Sequence, residues 1–128
     1  MGKGVVASLA YGAVLLGAPL TAAYAQWTPG SELVGQSVQV ETNGVVNTIY
    51  FDPGGAARII TPAGAVVQGN WTAADGQLCL QTSGGKECWP YQTAFQSGQA
   101  VSLVSSCQVS SRWTPLSTNP PTVAGERG

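Results

Sequence analysis

Few side chains in this sequence could carry out proton-transfer or metal chemistry. The chain has three cysteines, six carboxylate side chains and no histidine. Histidine is the commonest general base and the commonest metal ligand, so its absence removes Ser-His-Asp and Cys-His catalytic arrangements. The cysteines (Cys79, Cys88 and Cys107) have no C-x-x-C spacing, which disfavours a zinc site. We therefore predict no catalytic residue, no metal and no cofactor.

The carboxylates have simpler explanations than catalysis. Two of them could flank a glycosidic bond, as in a glycoside hydrolase. However, Asp52 and Asp75 lie in predicted turns, where aspartate is favoured for backbone reasons. Glu41 and Glu87 lie on predicted strands and are expected to face solvent or the rim of the fold. No phosphate-binding glycine motif is present either. The sequence therefore predicts a non-enzymatic protein.

Two of the cysteines fit a single β-hairpin. Leu78-Cys79-Leu80 and Cys88-Trp89 are apolar, β-prone runs on either side of a turn at Ser83-Gly84-Gly85. In that register Cys79 lies opposite Cys88, close enough to form a disulfide. Two free buried thiols are the alternative. The bridge is favoured because small exported domains use disulfides to supplement a limited core.

Cys107 is then the odd cysteine. It follows Ser105-Ser106, a predicted turn. The sequence leaves three states open, namely a free thiol, a bond to another molecule, or replacement of one partner of the Cys79–Cys88 bridge. A free thiol could be exposed in the loop or buried and inert. A catalytic role is disfavoured because no histidine is present to activate the thiol.

The first 25 residues have the pattern of a secretory signal peptide. Lys3 supplies a basic start, residues 4–18 are uncharged and largely apolar, and Ala23-Tyr24-Ala25 is an A-x-A cleavage site. A retained membrane anchor is the alternative, but glycine and proline interrupt the apolar run. We predict cleavage before Gln26 and a periplasmic or secreted chain. The membrane is a partner only if the segment stays uncleaved.

The charge balance excludes some partner classes. From Gln26 onwards the chain carries six acidic and four basic groups, a formal net charge of −2. Without a basic patch, neither nucleic acid nor an anionic lipid surface is an expected partner. An envelope protein is the partner class that export favours. The sequence does not determine the oligomeric state.

Short β-prone runs alternate with turn signals from Gly35 to Trp113. Asn43-Gly44 is a strong hairpin turn because both residues tolerate positive φ, and Asp75-Gly76 is another predicted turn. The pattern predicts an all-β fold of about eight short strands in an antiparallel meander, with helix only in the signal segment. Closure into a barrel is favoured over a sandwich because it removes exposed strand edges.

The predicted organisation has four parts. They are a signal peptide at 1–25, a lead-in segment at 26–34, a β-barrel domain at 35–113 and a disordered tail at 114–128. The tail is rich in Pro, Ser and Thr and lacks periodicity, so it is not expected to bury enough apolar surface to fold.

The large side chains are expected to fill the barrel and to leave no cup for a ligand. Gly69 beside Trp71 predicts a close backbone approach or a strand bend, with the indole packed over the glycine. Trp89 and Tyr91 share one face and belong either to the core or to an exposed aromatic patch. Trp27 could cap one end of the core. As the candidate partner surface we select Trp27, Trp89 and Tyr91.

The motifs of the central region carry a family resemblance. Gly69-Asn70-Trp71, Asp75-Gly76-Gln77-Leu78-Cys79 and Cys88-Trp89 together resemble a group of small exported bacterial proteins of uncharacterised function. The resemblance spans Gly35 to Trp113 and implies an exported β-barrel-like fold without an activity. A looser likeness links the chain to lipocalins, avidins and bacterial protease-inhibitor barrels. Those usually carry G-x-W near the mature N-terminus, which weakens any transfer of ligand binding or inhibition.

Three functions follow in order of preference. The first is a non-enzymatic exported barrel that acts through surface contacts, as an envelope or assembly accessory or a binding protein. The second is an inhibitor barrel that blocks a hydrolase with Gln26-Trp27-Thr28-Pro29 as its plug. The third is a carrier of a small ligand, which would require an empty interior cavity open to solvent.

Overall fold

The computed structural model describes residues 27–120. The predicted signal peptide at 1–25 and residues 121–128 lie outside that range. Eight strands form a single antiparallel sheet. They are β1 (Gln36–Thr42), β2 (Val45–Phe51), β3 (Ala56–Ile60), β4 (Val66–Ala74), β5 (Gln77–Thr82), β6 (Gly85–Pro90), β7 (Val101–Val104) and β8 (Ser110–Pro115). The predicted all-β fold is confirmed, and a single 3₁₀ turn, Pro53–Gly55, is the helical element of the described chain.

The sheet curls into a nearly closed barrel. Its strand order is β6-β5-β4-β3-β2-β1-β8-β7, so β6 and β7 are the two edges. Ser106, in the turn after β7, links them. Its N–H donates to the Cys88 carbonyl at 2.8 Å, and the Cys88 N–H donates to Ser106 Oγ at 3.0 Å. The barrel is thus the correct choice over the sandwich, because both edges are largely covered.

The hairpin turns have the predicted backbone chemistry. Asn43 and Gly44 have φ of 52° and 84°, and Asp75 and Gly76 have φ of 54° and 74°. Positive φ at both central residues is the type I′ pattern, whose twist matches that of the flanking strands. Because the turns set the pairing register, they also determine which side chains face inwards.

Alternate residues of each strand fill the interior. Val38 is the cross-strand partner of Ile49, and Leu78 is the partner of Trp89. All four are buried, whereas their neighbours along the strands are mostly exposed or half-buried. This period of two is what a sheet with one buried face requires.

Five aromatic rings form a continuous column through the barrel. Trp27 meets Tyr91 edge-on at 5.0 Å between ring centroids, and Tyr91 stacks on Phe95 at 5.4 Å. Phe95 stacks on Trp113 at 5.7 Å, and Trp113 meets Trp89 edge-on at 4.9 Å. These separations are typical of favourable aromatic pairs. Four of these rings belong to the buried core, and Trp27 packs against it.

The predicted start of the tail at Thr114 is wrong. Strand β8 continues through Pro115, and the Leu116 N–H donates to the Ser37 carbonyl at 3.1 Å. Asn119 is held by its own N–H to the Glu32 carbonyl at 2.9 Å and by its side chain to the Val34 carbonyl at 2.7 Å. These bonds join segments more than eighty positions apart, which local composition does not reveal.

Gly69 has the predicted close backbone approach. A Cβ atom at this position would collide with the backbone carbonyl of Gln81 and would lie 3.0 Å from the Thr82 methyl group. The packing partner of Trp71, however, is a different glycine. A Cβ at Gly30 would lie 3.0 Å from the Trp71 ring, so the indole packs over the lead-in segment.

Candidate functional site

The two ends of the barrel are built differently. One end is covered by residues 27–35, and we call it the closed end. The Gly35 N–H donates to the Phe51 carbonyl at 2.7 Å, and the Leu33 N–H donates to the Gly30 carbonyl at 3.0 Å. Leu33 is fully buried. The lead-in segment therefore serves as a lid formed by the chain itself.

Glu32 is the most unusual residue of the closed end. It is 0% exposed, although glutamate is almost never fully buried unless its charge is paired or hydrogen-bonded. Three donors surround its carboxylate. The Trp27 Nε1–H donates to Oε1 at 3.1 Å, while the Tyr91 hydroxyl and the Phe95 N–H donate to Oε2 at 2.6 and 2.8 Å. We refer to Trp27, Glu32, Tyr91 and Phe95 as the Glu32 cluster.

The Tyr91 hydroxyl is satisfied in both directions. It accepts from the Gly30 N–H at 2.9 Å and donates to Glu32. Burial, together with the hydrogen bond to the Glu32 carboxylate, raises the pKa of Tyr91 far above its ordinary value. The phenol therefore stays protonated and remains a donor across the neutral and mildly alkaline range.

This arrangement is suited to holding the lid in place. Every oxygen of the Glu32 carboxylate is occupied by a donor of the chain, and the residue has no exposed surface. A catalytic acid or base must reach a substrate proton, which this geometry prevents. Sequence reasoning missed the cluster. The available signal was a lone glutamate directly before the apolar pair Leu33-Val34.

The predicted site residues have mixed outcomes. The Cys79–Cys88 disulfide is confirmed, and Cys107 is a free, exposed thiol. Trp89 and Tyr91 are 6% and 3% exposed, so their assignment to a partner surface is wrong and their core assignment is correct. Trp27 is partly buried and bonded to Glu32, which makes it a cap of the core.

Within residues 27–120, no lid segment covers the opposite end of the barrel, which we call the open end. Its turns join β1 to β2, β3 to β4, β5 to β6 and β7 to β8. Five of the eight exposed large apolar residues of the described chain lie there. They are Val45, Val46, Val66, Val67 and Val104. Exposed apolar residues that gather at one end of a fold are a common feature of binding surfaces.

A depression of about 310 Å³ enters the barrel at this end. It is lined by Ile59, Leu80, Thr82, Gly84, Gly85, Lys86, Glu87, Trp89 and Cys107. Leu80 and Trp89 belong to the buried core, so the depression reaches the interior packing. The expectation of an interior filled without a cup thus does not hold at the open end.

Two residues that line the depression carry a polar group without a hydrogen-bond partner in the described chain. The Trp89 Nε1–H is buried and makes no hydrogen bond. Glu87 is half-buried and lies opposite Leu80, on the inward face of β6. Among residues 27–120 the one ion pair is between Arg58 and Asp52, so Glu87 is not neutralised by a basic side chain.

The Arg58–Asp52 pair lies on the outer face of the barrel and is a weaker candidate for a functional site than the depression. The guanidinium donates twice to the carboxylate, at 2.8 and 3.0 Å, and lies 4.6 Å from the centre of the Tyr50 ring. Its hydrogen bonds lower the pKa of Asp52. Exposed pairs of this kind contribute little and leave no cavity for a ligand.

Residues 27–120 contain no helix that could span a membrane and no cluster of acidic, cysteine or histidine side chains suited to a metal ion. Comparison of the chain with family models, with curated proteins and with solved structures finds no match. A function can therefore be inferred only from the geometry of the two ends of the barrel. The resemblance to small exported barrels stays a prediction.

Proposed function

We propose that this chain is an exported, non-enzymatic binding protein that uses the open end of its barrel for contact. One observation supports this above all. Residues 27–35 cover one end of the barrel, whereas no segment of residues 27–120 covers the other end, which has a depression and, on strands nearby, exposed valines that do not line it. Leaving these valines uncovered has no benefit for the isolated fold, so we attribute it to binding.

Export is supported by two features of the chain. The signal-peptide pattern of residues 1–25 predicts secretion, and the Cys79–Cys88 disulfide is the kind of bond that persists in oxidising compartments. The non-enzymatic reading is supported by the lack of histidine and by the inaccessibility of the Glu32 carboxylate. We expect the partner to be either an envelope protein or a small molecule in the compartment to which the chain is exported.

The inhibitor alternative has less support. Its plug would be residues 26–29, but Trp27 packs on Tyr91 and donates to Glu32 within the lid. Deleting 26–31 would remove the Trp27 and Gly30 contacts of the closed end. We therefore expect this deletion to destabilise the fold, so a loss of inhibition in that variant would not identify a plug.

Site-specific photocrosslinking tests the proposal. In a Cys107→Ser background, a benzophenone maleimide is attached to Val104→Cys at the open end or to Leu116→Cys at the closed end. These positions are matched, being 54% and 50% exposed. In the envelope of the producing cells, we expect discrete adducts from position 104 that excess unlabelled protein competes away. Equal adducts from both positions, or none from 104, would contradict the use of the open end.

A further inference from the structure

Strand β7 has backbone hydrogen-bonding groups that no other strand uses. In the described chain it pairs with β8 alone. The Ser105 N–H closes this hairpin by donating to the Val109 carbonyl at 2.9 Å. Because hydrogen-bonded and non-hydrogen-bonded pairs alternate along an antiparallel ladder, the N–H and C=O groups of Ser102 and Val104 point away from β8. They have no hydrogen-bond partner among residues 27–120.

Pro90 explains why β6, the other edge strand, does not pair with these groups. Ser106 joins Cys88 of β6 through two hydrogen bonds. If this antiparallel contact continued, Val104 would lie opposite Pro90, which has no N–H to donate. Strand β6 also ends at this residue. The two edges therefore separate beyond the contact between Ser106 and Cys88.

The separation leaves an apolar groove of about 220 Å³ beside β7. Residues 90–95 line one side of it and Val101 and Leu103 line the other, and none of these residues is charged. Val101 lies opposite the fully buried Trp113, so its side chain faces inwards. It is nevertheless 37% exposed. The wall of the barrel is therefore incomplete next to β7.

Strand β7 also lacks the residues that protect an edge strand from pairing with other chains. Charged residues and proline usually serve this purpose. Strand β6 contains both, in Lys86 and Pro90, whereas β7 has the sequence Val-Ser-Leu-Val. None of the four residues of β7 is buried. An uncharged strand edge beside an apolar groove is the arrangement that receives an added strand in β-augmentation.

We propose that β7 binds an extended peptide segment of another protein as an added antiparallel strand. The peptide residues opposite Ser102 and Val104 exchange backbone hydrogen bonds with them and direct their side chains outwards. The residue between them, opposite Leu103, directs an apolar side chain into the groove. A charged side chain is disfavoured there because the groove offers it no partner. Since residues 90–95 border the groove, a single extended segment reaches the edge more easily than a folded domain does.

This inference goes beyond the proposed function, because it assigns a second contact surface on the wall of the barrel. Position 104 borders both surfaces. Photocrosslinked adducts from this position that persist in Ser102→Pro would belong to the open end, whereas adducts that Ser102→Pro removes would belong to the β7 edge. The two proposals can therefore fail separately.

Binding of a synthetic peptide to the purified chain tests the geometry of the added strand. The probe is fluorescein-labelled Thr-Val-Thr-Leu-Thr-Val-Thr, followed by fluorescence anisotropy. With its apolar side chains in the groove, its threonine N–H groups face β7. N-methylation of the two threonines beside the leucine should weaken binding at least about tenfold, and N-methylation of the two valines by less than about threefold. Equal effects of the two modifications, or no saturable binding at millimolar peptide, would overturn the proposal.

A proline substitution tests the same contact from the side of the chain. Ser102→Pro removes an N–H that faces the groove, and its ring obstructs an approaching strand, so binding should weaken at least about tenfold. Ser110→Pro is the matched control, because it changes the same residue type on β8 at an exposed position whose N–H points away from β7. Equal weakening in both variants would contradict the proposal. The N-methylated peptides decide the question on the natural chain if Ser102→Pro does not fold.

Amide hydrogen exchange distinguishes the peptide from other occupants of the edge. In the chain alone, the Ser102 and Val104 amides should exchange rapidly and the Leu103 amide slowly, and the peptide should slow the first two. Slow exchange of Ser102 and Val104 without peptide at every protein concentration would mean that another segment of the same chain covers the edge. Slow exchange that appears only at high concentration would mean that a second copy does. Either result would overturn the assignment to another protein.

Discussion

Tyr91 and Glu32, 59 positions apart in the chain, are joined by a hydrogen bond of 2.6 Å in the closed end of the barrel. The same hydroxyl accepts from the Gly30 N–H, so one phenol holds two points of the lead-in segment. The strand end after β6 and the lid are thereby coupled. This relationship makes the lid a part of the cooperative fold.

Tyr91→Phe is expected to lower the free energy of unfolding by about 1.5–3 kcal/mol, because hydrogen bonds to charged groups contribute more than neutral ones. The variant keeps the ring in the aromatic column, but it leaves the Gly30 N–H without an acceptor and removes one of the two donors to Glu32 Oε2. Urea unfolding of the purified chain measures the change. Tyr50→Phe, on the outer face, is the control and should change stability by less than about 0.5 kcal/mol. Equal stability of both variants would contradict the coupling.

Glu32→Gln is expected to cost about 1–3 kcal/mol of unfolding free energy, since one buried donor is left unsatisfied. The amide offers one oxygen where the carboxylate offers two, so its NH₂ group must face either the Trp27 indole or the Tyr91–Phe95 donors. Thermal or urea unfolding measures the loss, with Glu41→Gln as an exposed comparison. A variant as stable as the natural chain would mean that the cluster does not hold the lid.

Alkaline pH should destabilise the fold through Tyr91. Its pKa is raised by burial and by Glu32, while the phenol of the unfolded chain ionises near its ordinary value of about 10. Above that pH the unfolded state binds fewer protons than the folded state, so stability falls as pH rises. The stability difference between the natural chain and Tyr91→Phe should therefore shrink above pH ~10. A stability difference between the two chains that stays constant or grows above this pH would contradict the predicted loss of stability at alkaline pH.

Removal of the disulfide should be costly for so small a barrel. In the chain-entropy model, a ring closed between Cys79 and Cys88 contributes about 2.5–3 kcal/mol. The double variant Cys79→Ser, Cys88→Ser should lose about that much in urea unfolding. Cys107→Ser, which removes an exposed free thiol, is the control and should be nearly neutral. A thiol count of one in the unreduced natural chain checks the pairing independently, and a count of three would contradict it.

Gly69→Ala is expected to destabilise the barrel by about 1–3 kcal/mol, because overpacking forces local backbone movement. The added methyl group would meet the Gln81 carbonyl, which belongs to the paired strand and cannot rotate away. Gly84→Ala is the matched control, since its nearest contact would be 3.6 Å from the Thr82 hydroxyl. Similar unfolding curves for the two variants would argue against a close strand approach at Gly69.

Local pattern was sufficient for much of the fold. The hairpin turns at Asn43-Gly44 and Asp75-Gly76 were predictable because φ > 0 has a residue preference. The Cys79–Cys88 bridge followed from the same hairpin logic, since its register is set by a short turn. The eight strands followed from alternation between turns, whereas the break between β6 and β7 appeared only in the structure.

The ordered segment after Trp113 could not be predicted in this way. Residues 114–119 look like a disordered tail by composition, yet Asn119 bonds to Val34 and Glu32 at the far end of the sequence. Composition measures whether a segment can bury its own apolar surface. It does not report hydrogen bonds that the rest of the fold offers to it.

The sequence by itself determined the chemistry that is absent and the local geometry that is present: no histidine, paired cysteines in one hairpin, and strands of alternating polarity. Only the tertiary structure decided which end of the barrel is covered. It also placed Glu32, one of six acidic residues, at the centre of the lid, and it left the buried Trp89 N–H without a partner in the described chain. The physical reason is that residue type and turn preference are local properties, whereas burial and hydrogen-bond satisfaction depend on segments that meet only after folding.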